Sequence, residues 1–337
     1  MSDASHTPIR KNPIAALFWI IPQQWTKPIF SICGLLSGSH SGWVLRQWPH
    51  CSTLSSRRCV RQRPAVSSSV CMPASRPVTS MCRIAAYAGP PIPLENIVVR
   101  PVHSLLAQSQ HATEAKLAVN GDGFGVSWYG SEGDLGLYRD VLPAWADDNL
   151  TNLCRMVRSH HFIAHIRAST VGETSRVNCH PFTHDGWSFC HNGQIPHFAD
   201  IRRRMLAALP DDLFNAMRGT TDSEMIFLTL LANGLRNDPQ HAIKATLDQI
   251  GCAPAHAPIK LSCVFSDGHT LYAFRHSSVG HAPTLYVSGV LDNGGRSVAS
   301  EPLCGVAKRW TELPQDSLCR VTAEGFTFEG FSGVIAA

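Results

Sequence analysis

The sequence lacks the paired cysteines that mark common metal and redox sites. Its twelve cysteines include no C-x-x-C pair, so the zinc-ribbon and thioredoxin-like classes lack their characteristic spacing. Four cysteines precede residue 81, and the eight that follow lie mostly in apolar, strand-like runs. Thiols in such runs are typical of reduced core residues in a cytosolic protein. We therefore expect a cytoplasmic protein with reduced cysteines.

Long apolar runs are also missing from the N-terminal region. Residues 14–21 are apolar, but a polar stretch beginning at Pro22 interrupts the run after eight residues. A membrane span needs about 20 apolar residues, so we expect no transmembrane helix and no membrane partner. Arg10 and Lys11 precede the run as in a signal peptide, but no clean small-residue cleavage site follows.

Acidic residues are almost absent from the first 80 positions. Asp3 is the only acid there, against nine Lys and Arg residues, which gives this stretch a net charge of +8. The remainder carries −4, so the overall charge of +4 does not indicate nucleic-acid binding by the globular part. We interpret residues 1–80 as a disordered leader: a mis-assigned start, a propeptide or a targeting segment. In all three cases the fold begins at Met81 and spans residues 81–337.

Regular patterns follow from Met81 onward. A strand pattern over residues 82–88 is ended by a Gly-Pro-Pro turn, and a helical block then separates two strand-rich regions. The glycines of residues 121–125 are not followed by a helix, which excludes a dinucleotide fingerprint. Strands, helices and strands again predict an α+β layered domain rather than a doubly wound sheet. The predicted helices cover residues 101–110, 198–209, 222–235 and 239–250, and the predicted strands cover 124–129, 162–167, 187–194, 261–265, 270–275, 284–288, 297–300, 317–322 and 325–331.

Met81-Cys82 suggests a nucleophile at the start of the working protein. If Met81 is removed, Cys82 gains a free α-amine whose pKa near ~8 lets it act as a base at neutral pH. A nucleophile paired with an N-terminal amine is a known solution for amide hydrolysis. The alternative is a chance dipeptide in which Cys82 is an ordinary core thiol.

Polar residues at the ends of predicted elements match the other needs of an amide hydrolase. Asn192-Gly193 could supply oxyanion donors, or form a plain Asn-Gly turn. Arg167 could anchor a carboxylate, or be a surface arginine. Asp222 could bind an ammonium group, or act as a helix N-cap. His180 precedes a proline in what could be a structural turn that holds the site.

No metal site is expected from the remaining histidines. His160, His161 and His165 have no Cys or carboxylate partner at metal-ligand spacing and lie in strand-like sequence. We interpret them as core or surface residues.

The ordered set of motifs resembles the class II glutamine amidotransferases, whose catalytic domain is an N-terminal-nucleophile (Ntn) hydrolase. The resemblance spans about 82–331 and implies a four-layer αββα sandwich with two antiparallel sheets and no metal or organic cofactor. The motifs are Met81-Cys82, Asp122-Gly123-Phe124-Gly125, His165-Ile166-Arg167-Ala168-Ser169-Thr170, Asn178-Cys179-His180-Pro181-Phe182, His191-Asn192-Gly193 and Thr221-Asp222-Ser223-Glu224.

The resemblance also implies roles for individual residues. The nucleophile would be Cys82, and its oxyanion would be held by Asn192 and Gly193. Arg167 would bind the carboxylate of glutamine and Asp222 its amine, and Thr170 would lie in the substrate loop. The implied substrate-binding residues are Arg167, Thr170, His180 and Asp222.

Two departures from the large biosynthetic enzymes narrow the expected function. Ala168 stands where those enzymes often carry Trp, and no room for a synthase domain remains after Ala337. The chain is thus similar to the compact stand-alone branch that includes γ-glutamyl-hercynylcysteine sulfoxide hydrolase. We expect hydrolysis of glutamine or a γ-glutamyl conjugate through a γ-glutamyl thioester on Cys82. A glutaminase subunit that supplies a separate partner synthase, a homo-oligomer and a catalytically silent scaffold of the same fold stay open.

Overall fold

The computed structural model describes residues 82–114, 119–168, 173–251, 256–322, 324–331 and 333–334. The predicted leader, residues 1–80, lies outside the described residues, and so do Met81 and Thr170. None of the helices in the described ranges is long and apolar enough to cross a membrane.

Fourteen strands in the described ranges form two antiparallel sheets of seven strands each. The strands are β1 (Arg83–Pro93), β2 (Phe124–Tyr129), β3 (Leu135–Asp140), β4 (Arg158–Ile166), β5 (Phe182–His184), β6 (Trp187–Gln194), β7 (Lys260–Ser266), β8 (Leu271–Ser277), β9 (Tyr286–Ser288), β10 (Arg296–Ala299), β11 (Trp310–Glu312), β12 (Ser317–Val321), β13 (Phe326–Gly330) and β14 (Gly333–Val334). The first sheet has the order β11-β9-β10-β1-β4-β2-β3, and the second has the order β14-β13-β12-β8-β7-β6-β5.

Seven α-helices of the described residues cover the outer faces of the two sheets. The side chains of α1 to α3 share an apolar core with the outward face of the first sheet, and those of α4 to α7 share one with the second. A third apolar core lies between the sheets, so the described residues form a four-layer αββα sandwich. The helices are α1 (Glu95–Val98), α2 (Leu105–Gln110), α3 (Asp148–Met156), α4 (Phe198–Ala207), α5 (Asp211–Ala216), α6 (Asp222–Ala232) and α7 (Pro239–Ile250).

Strand β1 is buried on both faces at the centre of the first sheet. Ile84 and Ala86 pack between the sheets, whereas Ala85 and Tyr87 pack toward the helices. Because side chains alternate along a strand, Cys82 continues the even-numbered series and faces the layer between the sheets. This alternation brings the thiol to the end of the inter-sheet core.

The prediction that β1 ends at the Gly-Pro-Pro turn is wrong. The strand continues to Pro93, and its pairing with β4 shifts register between Ala88 and Ile92. Gly89 has φ +155, and a Cβ there would collide with Gly295. The irregular register lets the prolines, which have no N–H to donate, lie within the strand.

Helix α6 begins beside the end of β6, and its first turn is capped by the residue that precedes it. The Thr221 hydroxyl accepts a hydrogen bond from the Glu224 N–H at 3.2 Å and is the N-cap. The N-cap interpretation of Asp222 is therefore wrong, because Asp222 is the first helical residue and its carboxylate points elsewhere. The predicted start of this helix is confirmed, although it ends at Ala232 instead of 235.

Candidate active site

A cavity of about 440 Å³ opens where β1 begins and β4 and β6 end, beside the first turns of α4 and α6. It brings together five of the seven residues predicted for the site. Asn192 is not among the residues that line it, and Thr170 lies outside the described residues. The lining residues are Cys82, Arg167, Ala168, Asn178, His180, His191, Gly193, Gln194, Ile195, Pro196, Phe198, Ala199, Arg202, Thr220, Thr221, Asp222 and Ser223.

The Cys82 thiol is held against the backbone of Ala168. Its Sγ donates to the Ala168 carbonyl oxygen at 3.6 Å and accepts from the Ala168 N–H at 3.4 Å. Burial raises the pKa of the Cys82 thiol, although the Ala168 hydrogen bond and the charges of Arg167 and Arg83 oppose that rise. Since the thiolate is the reactive form, this thiol needs a base to become a nucleophile.

Asn192 offers a buried donor beside the inter-sheet layer. It lies two residues after Cys190, whose side chain packs between the sheets, so its own side chain points the same way. The Asn192 Nδ2 has no hydrogen-bond partner among the described residues. Because buried polar groups nearly always have a partner, this nitrogen is suited to a ligand atom.

The backbone conformation at the neighbouring position 193 requires glycine. Its φ is +149, and a Cβ at this position would collide with the carbonyl oxygen of Lys260 on β7. Only glycine adopts such a conformation readily. The end of β6 therefore has a fixed shape at the edge of the cavity.

Arg167 follows β4 and is 4% exposed. Its backbone is bonded to the glycine-rich segment before β2: its N–H donates to Gly123 at 2.8 Å, and its carbonyl accepts from Asp122 at 3.1 Å. One guanidinium nitrogen lies 3.5 Å from the Asp122 carbonyl oxygen. The side chain thus presents a buried positive charge to the cavity.

Asp222 presents a negative charge from the first turn of α6. One carboxylate oxygen accepts from the Ile195 N–H at 3.0 Å, and the other accepts from the Ser223 hydroxyl at 3.3 Å. No Lys or Arg of the described ranges forms an ion pair with it. The carboxylate therefore fastens the loop after β6 to α6 and remains available to a cation in the cavity.

His180 stacks on His165 below the cavity. The ring centroids are 4.1 Å apart, and neither ring nitrogen of His180 has a hydrogen-bond partner within the described residues. Burial lowers the pKa of His165 to about 3 and the pKa of His180 well below its ordinary value. Both rings are therefore neutral near pH 7, and His180 supplies an uncharged surface to the cavity.

The sequence interpretation missed several residues that line the cavity. His191 was quoted in a motif without a role; its Nδ1 lies 2.9 Å from the Ser223 hydroxyl. Phe198 and Arg202 reach the cavity from α4. Their spacing of four residues places them on one helical face, a signal that the sequence does contain. No group of three His, Cys, Asp or Glu residues in the described ranges could hold a metal ion.

Comparisons with known proteins agree with this architecture. The family of class-II glutamine amidotransferases matches residues 96–286. The probable glutamine amidotransferase DUG3 of Saccharomyces cerevisiae is 32% identical over 291 residues, which cover 72% of this chain and 82% of the relative. The γ-glutamyl-hercynylcysteine sulfoxide hydrolase of Mycobacterium tuberculosis is 28% identical over 250 residues, covering 73% and 95%. The chain belongs to the class II glutamine amidotransferases and is an amidohydrolase.

A solved structure supports the same assignment. The glutamine aminotransferase class-II domain protein from Silicibacter pomeroyi is 34% identical and has a TM-score of 0.58. The match covers 74% of this chain and 99% of that one. The predicted fold, a four-layer sandwich of the Ntn-hydrolase type, is confirmed.

Proposed function

We propose that the protein hydrolyses a γ-glutamyl amide bond, with Cys82 as the nucleophile. The observation that carries the proposal is the content of one cavity. A thiol, a guanidinium and a carboxylate without a cationic partner in the described residues converge there from β1, β4 and α6. Glutamine-like substrates carry the complementary groups: an electrophilic amide carbon, a carboxylate and an ammonium.

Substrate recognition follows from the two charges. Arg167 binds the α-carboxylate, because a guanidinium meets a carboxylate with paired hydrogen bonds. Asp222 binds the α-ammonium group. His180 forms an uncharged wall, and the family resemblance implies a further substrate contact from Thr170. Together these contacts fix the γ-glutamyl group with its side-chain carbonyl at Cys82.

The chemical step uses the α-amine of Cys82 as the base, which requires a mature chain that begins at this residue. The amine takes the thiol proton, Sγ bonds to the γ-carbonyl carbon, and Asn192 and Gly193 stabilise the oxyanion. The C–N bond then breaks, and the leaving amine receives the proton. Water hydrolyses the γ-glutamyl thioester, which releases glutamate and restores the thiol.

The proposal is tested by glutamate release from the protein purified from its natural source. Intact mass should show a chain that begins at Cys82, and the enzyme should release glutamate from glutamine or γ-glutamyl peptides. Cys82→Ala should abolish release. Cys154→Ala is the matched control, because Cys154 is a buried thiol in the outer core against the first sheet, and it should retain release.

Other outcomes would contradict the mechanism or redirect the function. Undiminished glutamate release by Cys82→Ala would remove Cys82 as the nucleophile. A natural protein with residues 1–80 attached and full activity would exclude the α-amine as the base. Activity on glutamine that appears only with a second protein would favour a glutaminase subunit that feeds a synthase.

A further inference from the structure

One cationic side chain in the cavity has no part in the chemistry described above. Arg202 lies on α4, on the same helical face as Phe198 and Ala199, and all three line the cavity. They approach from the side of the loop after β6. The γ-glutamyl group is assigned to Arg167 and Asp222, so the lining residues of α4 are left to contact the leaving amine.

Arg202 has no acceptor of its own within the described residues. Its Nε is buried without a hydrogen-bond partner, and no Asp or Glu of those ranges pairs with it. Its neighbours on α4 differ: Arg203 is exposed, and Arg204 donates to the Gln249 carbonyl at 2.8 Å. A buried guanidinium N–H without an acceptor is unfavourable, so the position is suited to an anionic ligand group.

Glutamine alone would not use this charge. Its single carboxylate is bound by Arg167 under the proposed function, and its leaving group is ammonia. The cavity of about 440 Å³ falls in the range that encloses drug-sized ligands, roughly 300–1,000 Å³, and glutamine is much smaller than these. Space and charge on the α4 side therefore both exceed what glutamine requires.

We propose that Arg202 is a specificity-determining residue that binds a carboxylate on the leaving amine. The preferred substrates are then γ-glutamyl amino acids or peptides with a free carboxylate. Phe198 packs beside the body of the leaving group and Arg202 binds its anionic end. This inference rests on the proposed function and adds to it the chemistry of the leaving group.

The test compares three substrates that differ only beyond the scissile bond: γ-glutamylglycine, its neutral glycinamide analogue and glutamine. The enzyme from its natural source should show the highest kcat/KM for γ-glutamylglycine. Arg202→Gln should lower that value about 10- to 100-fold, the loss expected for one hydrogen-bonded charge pair. The kcat/KM values for the glycinamide analogue and for glutamine should stay the same. Arg202→Lys should recover part of the preference for γ-glutamylglycine.

Arg203→Gln is the matched control, because it removes one positive charge from the adjacent exposed position of α4. It should leave kcat/KM unchanged for all three substrates. Equal losses on all three substrates in Arg202→Gln would show that Arg202 acts on the glutamyl group or the fold. An unchanged preference would show that it contacts no leaving group. Either result would overturn the role of Arg202 while leaving the hydrolase intact. No glutamate from any substrate in the parent enzyme would overturn the proposed function itself, and this inference with it.

Discussion

Two buried polar clusters lie on opposite faces of the first sheet at the start of β1. Cys82 faces the cavity cluster between the sheets, and Arg83, the next residue, points to a second cluster around Glu301 on the other face. The Glu301 carboxylate is 1% exposed and accepts from Arg83 at 3.1 Å and from His103 at 2.6 Å. It also accepts from the Thr113 hydroxyl and from the N–H groups of Thr113 and Glu114.

The cavity cluster contrasts with this arrangement. Arg202 Nε and both ring nitrogens of His180 belong to residues that line the cavity, and they lack partners among the described residues. The same is true of Nδ2 in Asn192, which precedes the lining residue Gly193. Both clusters are buried and both contain charge, so burial alone does not separate them. They differ in the central groups: both oxygens of the Glu301 carboxylate are hydrogen-bonded within the chain, whereas these cavity atoms are not.

The contrast indicates how to separate structural from functional polar groups in this fold. A satisfied cluster uses its hydrogen bonds to stabilise the native state, and removing one member leaves another buried and unpaired. An unsatisfied cluster has donors and acceptors available to a ligand. Substitutions around Glu301 should therefore reduce stability, whereas substitutions of the unsatisfied polar groups at the cavity should reduce activity.

The largest effect is expected for Glu301→Gln. The substitution keeps the shape but removes the charge, so the Arg83 guanidinium stays buried without its carboxylate. We expect the free energy of unfolding to fall by about 3–5 kcal/mol, measured by chemical denaturation. Asp292→Asn is the control, because its ion pair with Arg309 is exposed and should contribute at most about 1 kcal/mol. Similar losses in the two variants would remove the contrast.

The acid limb of the stability curve sharpens this prediction. Burial raises the pKa of Glu301, but the hydrogen bonds from Thr113, His103 and Glu114 outweigh it and hold the pKa below its ordinary value of 4.5. A depressed carboxyl pKa contributes stability that is present above about pH 4.5 and lost as the pH falls through the folded-state value. Glu301→Gln should remove this part of the acid dependence.

The next effect is expected for Asn192→Ala. Removing the oxyanion donor should lower kcat by about 10²–10³, or 2.7–4 kcal/mol of transition-state stabilisation. The free energy of unfolding should change little, because Nδ2 bonds to no described group. Glutamate release and thermal unfolding are measured on the same preparation.

Asn178→Ala is the matched control for Asn192→Ala. Asn178 lines the cavity, but its amide oxygen accepts from the Thr220 N–H at 2.9 Å and its nitrogen donates to the Glu173 carbonyl at 3.1 Å. Its loss should appear chiefly in stability. A larger stability loss in Asn192→Ala than in Asn178→Ala would contradict the distinction between satisfied and unsatisfied groups.

Much of the fold could be predicted from the sequence, because its regular elements carry strong local signals. The boundaries of α7, with Pro239 at its first position, and of β6 are as predicted. Helix α3 was missed, since only Leu150 and Cys154 are buried along its length and its apolar stripe is narrow. Strand β11 was missed because three residues are too few to show a period.

The candidate site was predicted less completely than the fold. Motif resemblance pointed to Cys82 and Arg167, which the structure places in one cavity. Glu301 and Arg202 carried no motif, because their importance depends on partners distant in the chain or absent from it. Whether a buried charge is satisfied can be decided only once the chain has folded.

The smallest effect is expected for the pH dependence contributed by His165. Its pKa of about 3 lies below the ordinary value of 6.5 because the ring is buried. Between these two pH values the unfolded chain binds a proton at His165 that the native state does not bind. Stability is therefore complete above pH 6.5 and falls as the pH drops toward 3, by about 1.4 kcal/mol per pH unit. His165→Phe, which keeps an aromatic ring against His180, should flatten the curve between pH 5.5 and 4.5 by about that amount. An unaltered slope in His165→Phe would mean that the ring pair finds partners as the Glu301 carboxylate does, and the two clusters would then not differ in kind.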